Sequence, residues 1–166
     1  MAAVNWSTFT VRIDVNASTE QLYAAWATRA GIESWFLRLS EYKSADGFIR
    51  KDDELVQKGD PYKWMWYGWP DETVEHGTVL DCNGTDTFKF SFGKAGICTV
   101  RIYKELGETI VDLVQEHIPD DEDGRQMWHV GCKTGWTYYL TNLKSVYQHG
   151  IDLRNKKEGI GKLLNL

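Results

Sequence analysis

Phe9, Val11, Ile13 and Val15 alternate with Thr8, Thr10, Arg12 and Asp14, the period of two expected of a half-buried strand. The pattern then changes. Ser18-Thr19-Glu20-Gln21 has the form of a capping box, with Ser18 as N-cap and Gln21 three residues on. It predicts a short helix that buries Leu22, Ala25 and Trp26 and stops near Gly31. Ile32, Trp35 and Phe36 keep helical spacing, so a second short helix follows. From about Leu39 the period returns to two. Strands are expected around Tyr42, over the aromatic run Tyr62 to Trp69, and over Val74 to Cys82, Phe88 to Phe92, Ile97 to Tyr103 and Ile110 to His117. Turns at Asp46-Gly47, Gly59-Asp60-Pro61, Pro70-Asp71 and Gly107-Glu108 separate them, and Asn83-Gly84 is a type I′ hairpin signal. The charged stretch Arg50 to Glu54 reads as an exposed excursion.

Asp120 to Gly150 carries the strongest pattern, that of one long helix. Trp128, Cys132, Gly135, Tyr139, Leu143 and Val146 fall on one stripe, flanked by Gly131, Trp136, Asn142 and Tyr147. Lys133, Thr134, Thr137, Thr141, Lys144, Ser145 and Gln148 face the other way and suit water. Acidic Asp120, Asp121, Glu122 and Asp123 sit at the positive end of the helix dipole, and His149-Gly150 make a favourable stop. The element order is therefore β-α-α-β(several)-α, an α+β arrangement in which a helix with a broad aromatic face lies on an antiparallel sheet. The chain reads as one domain over residues 1–150, followed by a tail over 151–166, in which Arg154, Lys156, Lys157 and Lys162 are solvated charges interrupted by Glu158.

Composition narrows the function classes. Eight tryptophans and eight tyrosines in 166 residues either dominate the core or line a site. A net charge of −5 with no basic stripe argues against a nucleic-acid surface. Cys82, Cys98 and Cys132 are odd in number and far apart, which argues for a reducing, cytoplasmic setting and against a disulfide scaffold or zinc site. Met1 to Val15 alternates instead of forming a charged-then-apolar leader, and no apolar run reaches membrane-spanning length, so no membrane insertion is expected.

Several runs, taken in order, resemble a known family. They are Ala17-Ser18-Thr19-Glu20-Gln21-Leu22-Tyr23-Ala24-Ala25-Trp26, Trp35-Phe36, and Gly59-Asp60 leading into Trp64 and Trp66. His129-Val130-Gly131-Cys132 and Gly135-Trp136 through Leu143-Lys144 complete the set. Each is mostly packing residues, but together they resemble the domain family named after the activator of the heat-shock-protein-90 ATPase. That family lies within the START and birch-pollen-allergen superfamily, and the likeness runs from about Thr8 to Gly150. The resemblance implies a helix-grip fold, a curved antiparallel sheet wrapped around the last helix with two short helices after the first strand. It also implies a functional range of co-chaperone domains, polyketide cyclases and aromatases, and proteins that sequester a reactive small molecule. The co-chaperone carries a separate chaperone-binding domain with no counterpart in these residues, so a chaperone is not the expected partner. The family has no shared catalytic signature.

If the concave face meets the last helix, alternation names the lining. Phe88, Phe90 and Phe92 share a face, as do Val111, Leu113, Gln115 and His117; Trp128, Cys132, Gly135, Tyr139 and Asn142 look toward them from the helix. Gly131 and Gly135 each cost about 1 kcal/mol of helix stability relative to Ala. Close packing explains each alone, whereas room for a ligand explains them together with the inward polar groups. The expected function is non-catalytic binding of a small, largely apolar or aromatic molecule. Phe88, Phe90, Phe92, Leu113, Trp128, Cys132 and Tyr139 would give contact area, and Gln115, His117 and Asn142 would orient polar atoms. The segment Lys51 to Asp60 could gate the pocket. The alternatives are an enzyme of polyketide cyclase or hydrolase type using His117, or a co-chaperone-like module. His76 beside Glu75 is more simply a surface residue. Trp64, Trp66 and Trp69 alternate with Met65 and Tyr67, which suits stacking on a ring-bearing ligand, a core strand covered on both sides, or one reaching a second copy in a homodimer. Asp120 to Asp123 fail the calcium-loop spacing, with Pro119 and Val130 at ligand positions, and no metal or organic cofactor is expected.

Overall fold

The structure is a computed structural model of the 166-residue chain and describes residues 4–157, 159, 160 and 163. Among these residues, seven antiparallel strands form one open sheet: β1 (Phe9–Asp14), β2 (Leu39–Tyr42), β3 (Pro61–Met65), β4 (Glu75–Cys82), β5 (Thr87–Ser91), β6 (Ile97–Glu105) and β7 (Glu108–Glu116). Their order across the sheet is β1-β7-β6-β5-β4-β3-β2, so the first two strands form opposite edges. Between β1 and β2 come α1 (Thr19–Ala27) and α2 (Arg29–Trp35), and the chain's last long helix ends as α3 (Gly131–His149). A register shift in β4 between Val79 and Asp81 bends the sheet there, so that β3 and β2 curl toward the helices. This is the helix-grip fold.

Alternation places the core. Phe9 pairs with Gln115, Gln115 with Cys98, Cys98 with Phe90, and Phe90 with Val79, a row crossing five strands on the concave face. Val11, Leu113, Val100, Phe88 and Cys82 form the next row. The helices lay Leu22, Trp26, Ile32, Trp35, Trp136, Leu140 and Leu143 on these rows, each essentially fully buried. At the other edge Tyr62 stacks on Trp64, with ring centroids 4.0 Å apart. Gly77, opposite Tyr62, makes this possible: a Cβ there would sit 2.4 Å from the Tyr62 ring.

The capping box forms as read, Ser18 Oγ accepting from the Gln21 amide at 3.1 Å and the Ser18 amide donating to Gln21 Oε1 at 3.0 Å. The first helix stops earlier than Gly31, because Thr28 both closes α1 and caps α2, its hydroxyl oxygen accepting from the Gly31 amide at 3.0 Å. Asn83-Gly84 does not make a type I′ turn. Only Gly84 has a positive φ, and the Asn83 side chain accepts from the amides of Thr85, Asp86 and Thr87 to close a longer loop. The excursion after β2 is exposed over residues 51–55 but anchored at both ends, by the paired Arg50 and Asp60 and by fully buried Val56. The aromatic run is strand only to Met65; Trp66 to Trp69 leave the sheet as a turn.

The expected solvated tail is corrected at Asp152 and Arg154, whereas Lys156 and Lys157 are exposed as read. Asn142, fully buried, donates to the Trp35 carbonyl at 2.6 Å and accepts from the Leu153 amide at 2.7 Å. Arg154, also buried, donates to the carbonyls of Leu37 and Ser34 at 2.9 Å each and pairs with Asp152. These seven residues strap the end of α3 to α2. Lys162, Glu158 and Met1 to Ala3, which figured in the tail and leader readings, lie outside the described residues.

Candidate functional site

The long helix starts where its acidic run predicts, and Asp121 is the residue that caps it. Its side chain accepts from the Gly124 amide at 2.7 Å and its carbonyl from the Arg125 amide at 2.9 Å. The first turns are not α-helical. Gly124–Val130 is a π-helical stretch, and the Gly131 amide reaches back five residues to the Gln126 carbonyl. A π-turn widens the helix and turns the residues before it relative to those after it. Here it presents Met127, Trp128, Gly131, Cys132 and Gly135 together toward the gap between the helix and the β3–β4 loop.

That gap is an apolar groove of about 380 Å³, open to solvent. Phe36 from the end of α2, Trp66, Trp69 and Thr73 from the β3–β4 loop, and Phe92 just past β5 form one side; Trp128, Cys132, Trp136 and Tyr139 form the other. The rings behind it are interlocked. Phe36 lies 4.9 Å from Trp136 and 4.8 Å from Tyr139 between centroids, and Phe92 lies 5.6 Å from Trp136. The opening is therefore a fixed recess rather than a loose core. Gly135 faces it with nothing within 4 Å of where a Cβ would be, and Gly131 would meet only the Gln126 carbonyl, at 3.6 Å. Neither glycine is needed to bring the helix onto the sheet.

Of the residues expected to line a site, Phe92, Trp128, Cys132 and Tyr139 come together here. Phe88, Phe90 and Leu113 are fully buried deeper in the core, beneath α1 and Trp136. Gln115 does point inward, but its amide is committed: Oε1 accepts from Trp136 Nε1 at 2.8 Å and Nε2 donates to the Ala95 carbonyl at 2.8 Å. It orients the Trp136 ring that floors the groove. His117 is exposed, with φ at +61°, one residue beyond β7, so the inward alternation breaks before it and Ile118 is buried instead. Asn142 faces the strap. Neither His117 nor Asn142 borders the groove, nor does any residue of 51–60. His76 points outward and is exposed.

Glu75 was missed by alternation. It pairs with Trp64 across β3 and β4, and directly opposed residues share a face, so its side chain enters the concave side. Its Oε1 is buried without a hydrogen-bond partner and lies against Gly93, the neighbour of Phe92. Burial raises the Glu75 carboxyl above the usual range. The only sequence signal was its parity with Gly77 and Val79 on β4. Burial also pushes up the thiols of Cys98 and Cys132, which keeps both protonated and poor as nucleophiles. No three His, Cys, Asp or Glu among the described residues group to hold a metal ion. No helix among them is long and apolar enough to cross a membrane.

The family described as "Activator of Hsp90 ATPase homolog 1-like protein" matches residues 16–148, and the chain belongs to that family. Comparison with proteins of curated function gave no match. Among solved structures, the protein SSP2350 from Staphylococcus saprophyticus is similar with a TM-score of 0.68 at 19% identity, over 89% of this chain and 96% of that one. The Aha1 dimer from Colwellia psychrerythraea has a TM-score of 0.64 at 17% identity, over 86% of this chain and 97% of that one. DynU16, a protein in the dynemicin biosynthetic locus, gives 0.63 at 15% identity, over 90% of this chain and 50% of that one. At these identities the likeness establishes the fold.

Proposed function

We propose that this member of the family binds a small, largely apolar or aromatic molecule, without turnover, in the groove between the π-turn and the β3–β4 loop. The observation that carries the reading is the pair Gly131 and Gly135. Two glycines within one helix cost about 1 kcal/mol each relative to Ala, and no close packing against a neighbouring element accounts for them. What they leave is space, backed by the rings of Phe36, Phe92, Trp136 and Tyr139, which hold one another in place. A preformed apolar recess needs little reorganisation on binding, so most of the contact energy appears as affinity.

The test fills the space from the protein side. Gly135→Phe would place a ring in the groove, and losing a helical glycine should keep thermal stability at or above the parent's. Titrating the parent with apolar and polycyclic aromatic compounds should change Trp fluorescence saturably, since Trp66, Trp69 and Trp128 border the site. Gly135→Phe should abolish that change. A flat titration of the parent, or unaltered binding by the variant, would overturn the proposal.

Glu75 does not border the groove but abuts Gly93, the neighbour of the wall residue Phe92. It suggests a second reading, an enzyme of cyclase or hydrolase type in which this carboxyl, rather than His117, exchanges a proton with a ligand that extends to it. Turnover that Glu75→Gln abolishes while ligand affinity persists would select it.

A further inference from the structure

A second groove of about 520 Å³ adjoins the first, and Trp69 is a wall of both. Its character is different. Among the described residues, Arg38, Lys156 and Lys157 line it with one carboxylate, Asp71, in a protein whose net charge is −5. The strap builds this basic pocket: Asp152, Arg154 and the turn Asn155 to Lys157 bring two lysines from the end of the chain to the residue that follows Leu37. Lys156 lies over the Tyr67 ring at 5.2 Å and Arg154 at 5.3 Å, which fixes the aromatic floor between the cations.

Two of the cations are incompletely paired. The Arg38 guanidinium donates from Nη2 to Asp71 at 2.6 Å, but its Nε is buried with no hydrogen-bond partner. Lys157 makes no side-chain pair among the described residues, whereas Lys156 is held by Asp152 at 2.9 Å. A buried unpaired donor on a charged group is costly and is relieved by an anionic acceptor. A carboxylate or phosphate oxygen in the groove would meet the exposed part of the Arg38 guanidinium, 34% accessible at the side chain, and Lys157 supplies a second charge.

Building on the apolar groove proposed above, we infer that the ligand is amphipathic, its apolar body beside Trp128 and Phe92 and its anionic end past Trp69, between Arg38 and Lys157. Trp69, 44% exposed, stands where the two parts of such a molecule meet. Its ring offers a face to the body and leaves the charged end in the wetter pocket.

Matched probes separate this inference from the groove reading. Calorimetric titration with decanoate, decan-1-ol and decylamine compares one apolar body with three end groups. Decanoate should bind about tenfold more tightly than the alcohol, an advantage of ~1.4 kcal/mol, and added salt should shrink that advantage. Lys157→Gln, an exposed position where folding is not at stake, should reduce decanoate affinity several-fold and leave decan-1-ol unchanged; Arg38→Gln should do the same. Equal affinity for acid and alcohol, preference for the amine, or variants that leave the acid's advantage intact would overturn the anionic subsite while the apolar groove stands. Failure of all three probes to bind would remove both.

Discussion

Leu106 shows how much a single backbone conformation can cost. It sits with Gly107 in the two-residue turn between β6 and β7, with φ at +49° and its side chain fully exposed. A left-handed conformation costs a leucine roughly 1–2 kcal/mol, and no burial repays it here. Leu106→Asn should therefore stabilise the protein by about 1 kcal/mol, read as a higher midpoint in urea at unchanged slope; an unchanged midpoint would show that the turn relaxes freely. Glu75 is the second residue whose environment works against it. Burial raises its carboxyl pKa in the folded state, so folded protein holds the proton more tightly than unfolded chain. Its destabilising effect is absent below the unfolded pKa and develops as pH rises through the folded one. Glu75→Gln should raise the melting temperature at neutral pH, and the gain should vanish in mild acid. A gain that persisted at acid pH would assign the effect to packing instead.

At the scale of elements, the strap over residues 151–157 is the least expected piece of the fold. Its anchors are unremarkable in a sequence: an Asn on a helix and a basic residue in what reads as a solvated end. Burial on Asp152 acts to raise its pKa, but bonds from the Arg154 guanidinium, Lys156 and the Arg154 amide outweigh it and hold the carboxyl below the usual range. A depressed folded pKa means that this group stabilises the protein above the unfolded pKa and stops doing so as pH falls through the folded value. The strap should thus hold at neutral pH and release only in strong acid. Arg154→Ala should expose the Leu153 amide, otherwise bonded to Asn142, to fast hydrogen exchange at neutral pH while the β6 and β7 amides stay protected. Uniform loss of protection across the sheet would mean that the strap is integral to the whole fold. The helices and strands themselves were largely legible. Ser18 to Gln21, the alternation of β1, β6 and β7, and the helical stripe after Gly131 follow local periodicity, which packing on one concave face preserves. What local pattern could not carry were departures from period, such as His117 turning left-handed, Trp66 to Trp69 leaving β3, and the extra residue in the helix. Each is settled by neighbours distant in sequence.

For the molecule as a whole, the aromatic surplus divides into an inner and an outer set. Trp26, Trp35, Trp64 and Trp136 are buried among one another and Phe90, Trp66, Trp69 and Trp128 edge the groove, and half-buried Trp6 packs on His129 away from it. A soluble quencher such as acrylamide should reach the outer set and Trp6 but not the inner set, and a bound ligand should protect part of the outer set; quenching of all the emission alike would mean that the interlocked rings open readily. The candidate site was legible to the same degree. Phe92, Trp128, Cys132 and Tyr139 were placed by face, but Phe88, Phe90 and Leu113 share that face too and are consumed by the core, since parity says which way a side chain points and not how much volume remains above it. The π-turn decides where that volume lies. A π-turn amounts to an α-helix carrying one surplus residue, and each residue in an α-helix advances about 100° around the axis. Excising Val130, which lies between Trp128 and Gly131, would let the turn relax to α-helix and swing the Trp128 side chain by about that angle. The indole would then no longer edge the recess, while every side chain from Gly131 onward kept its place.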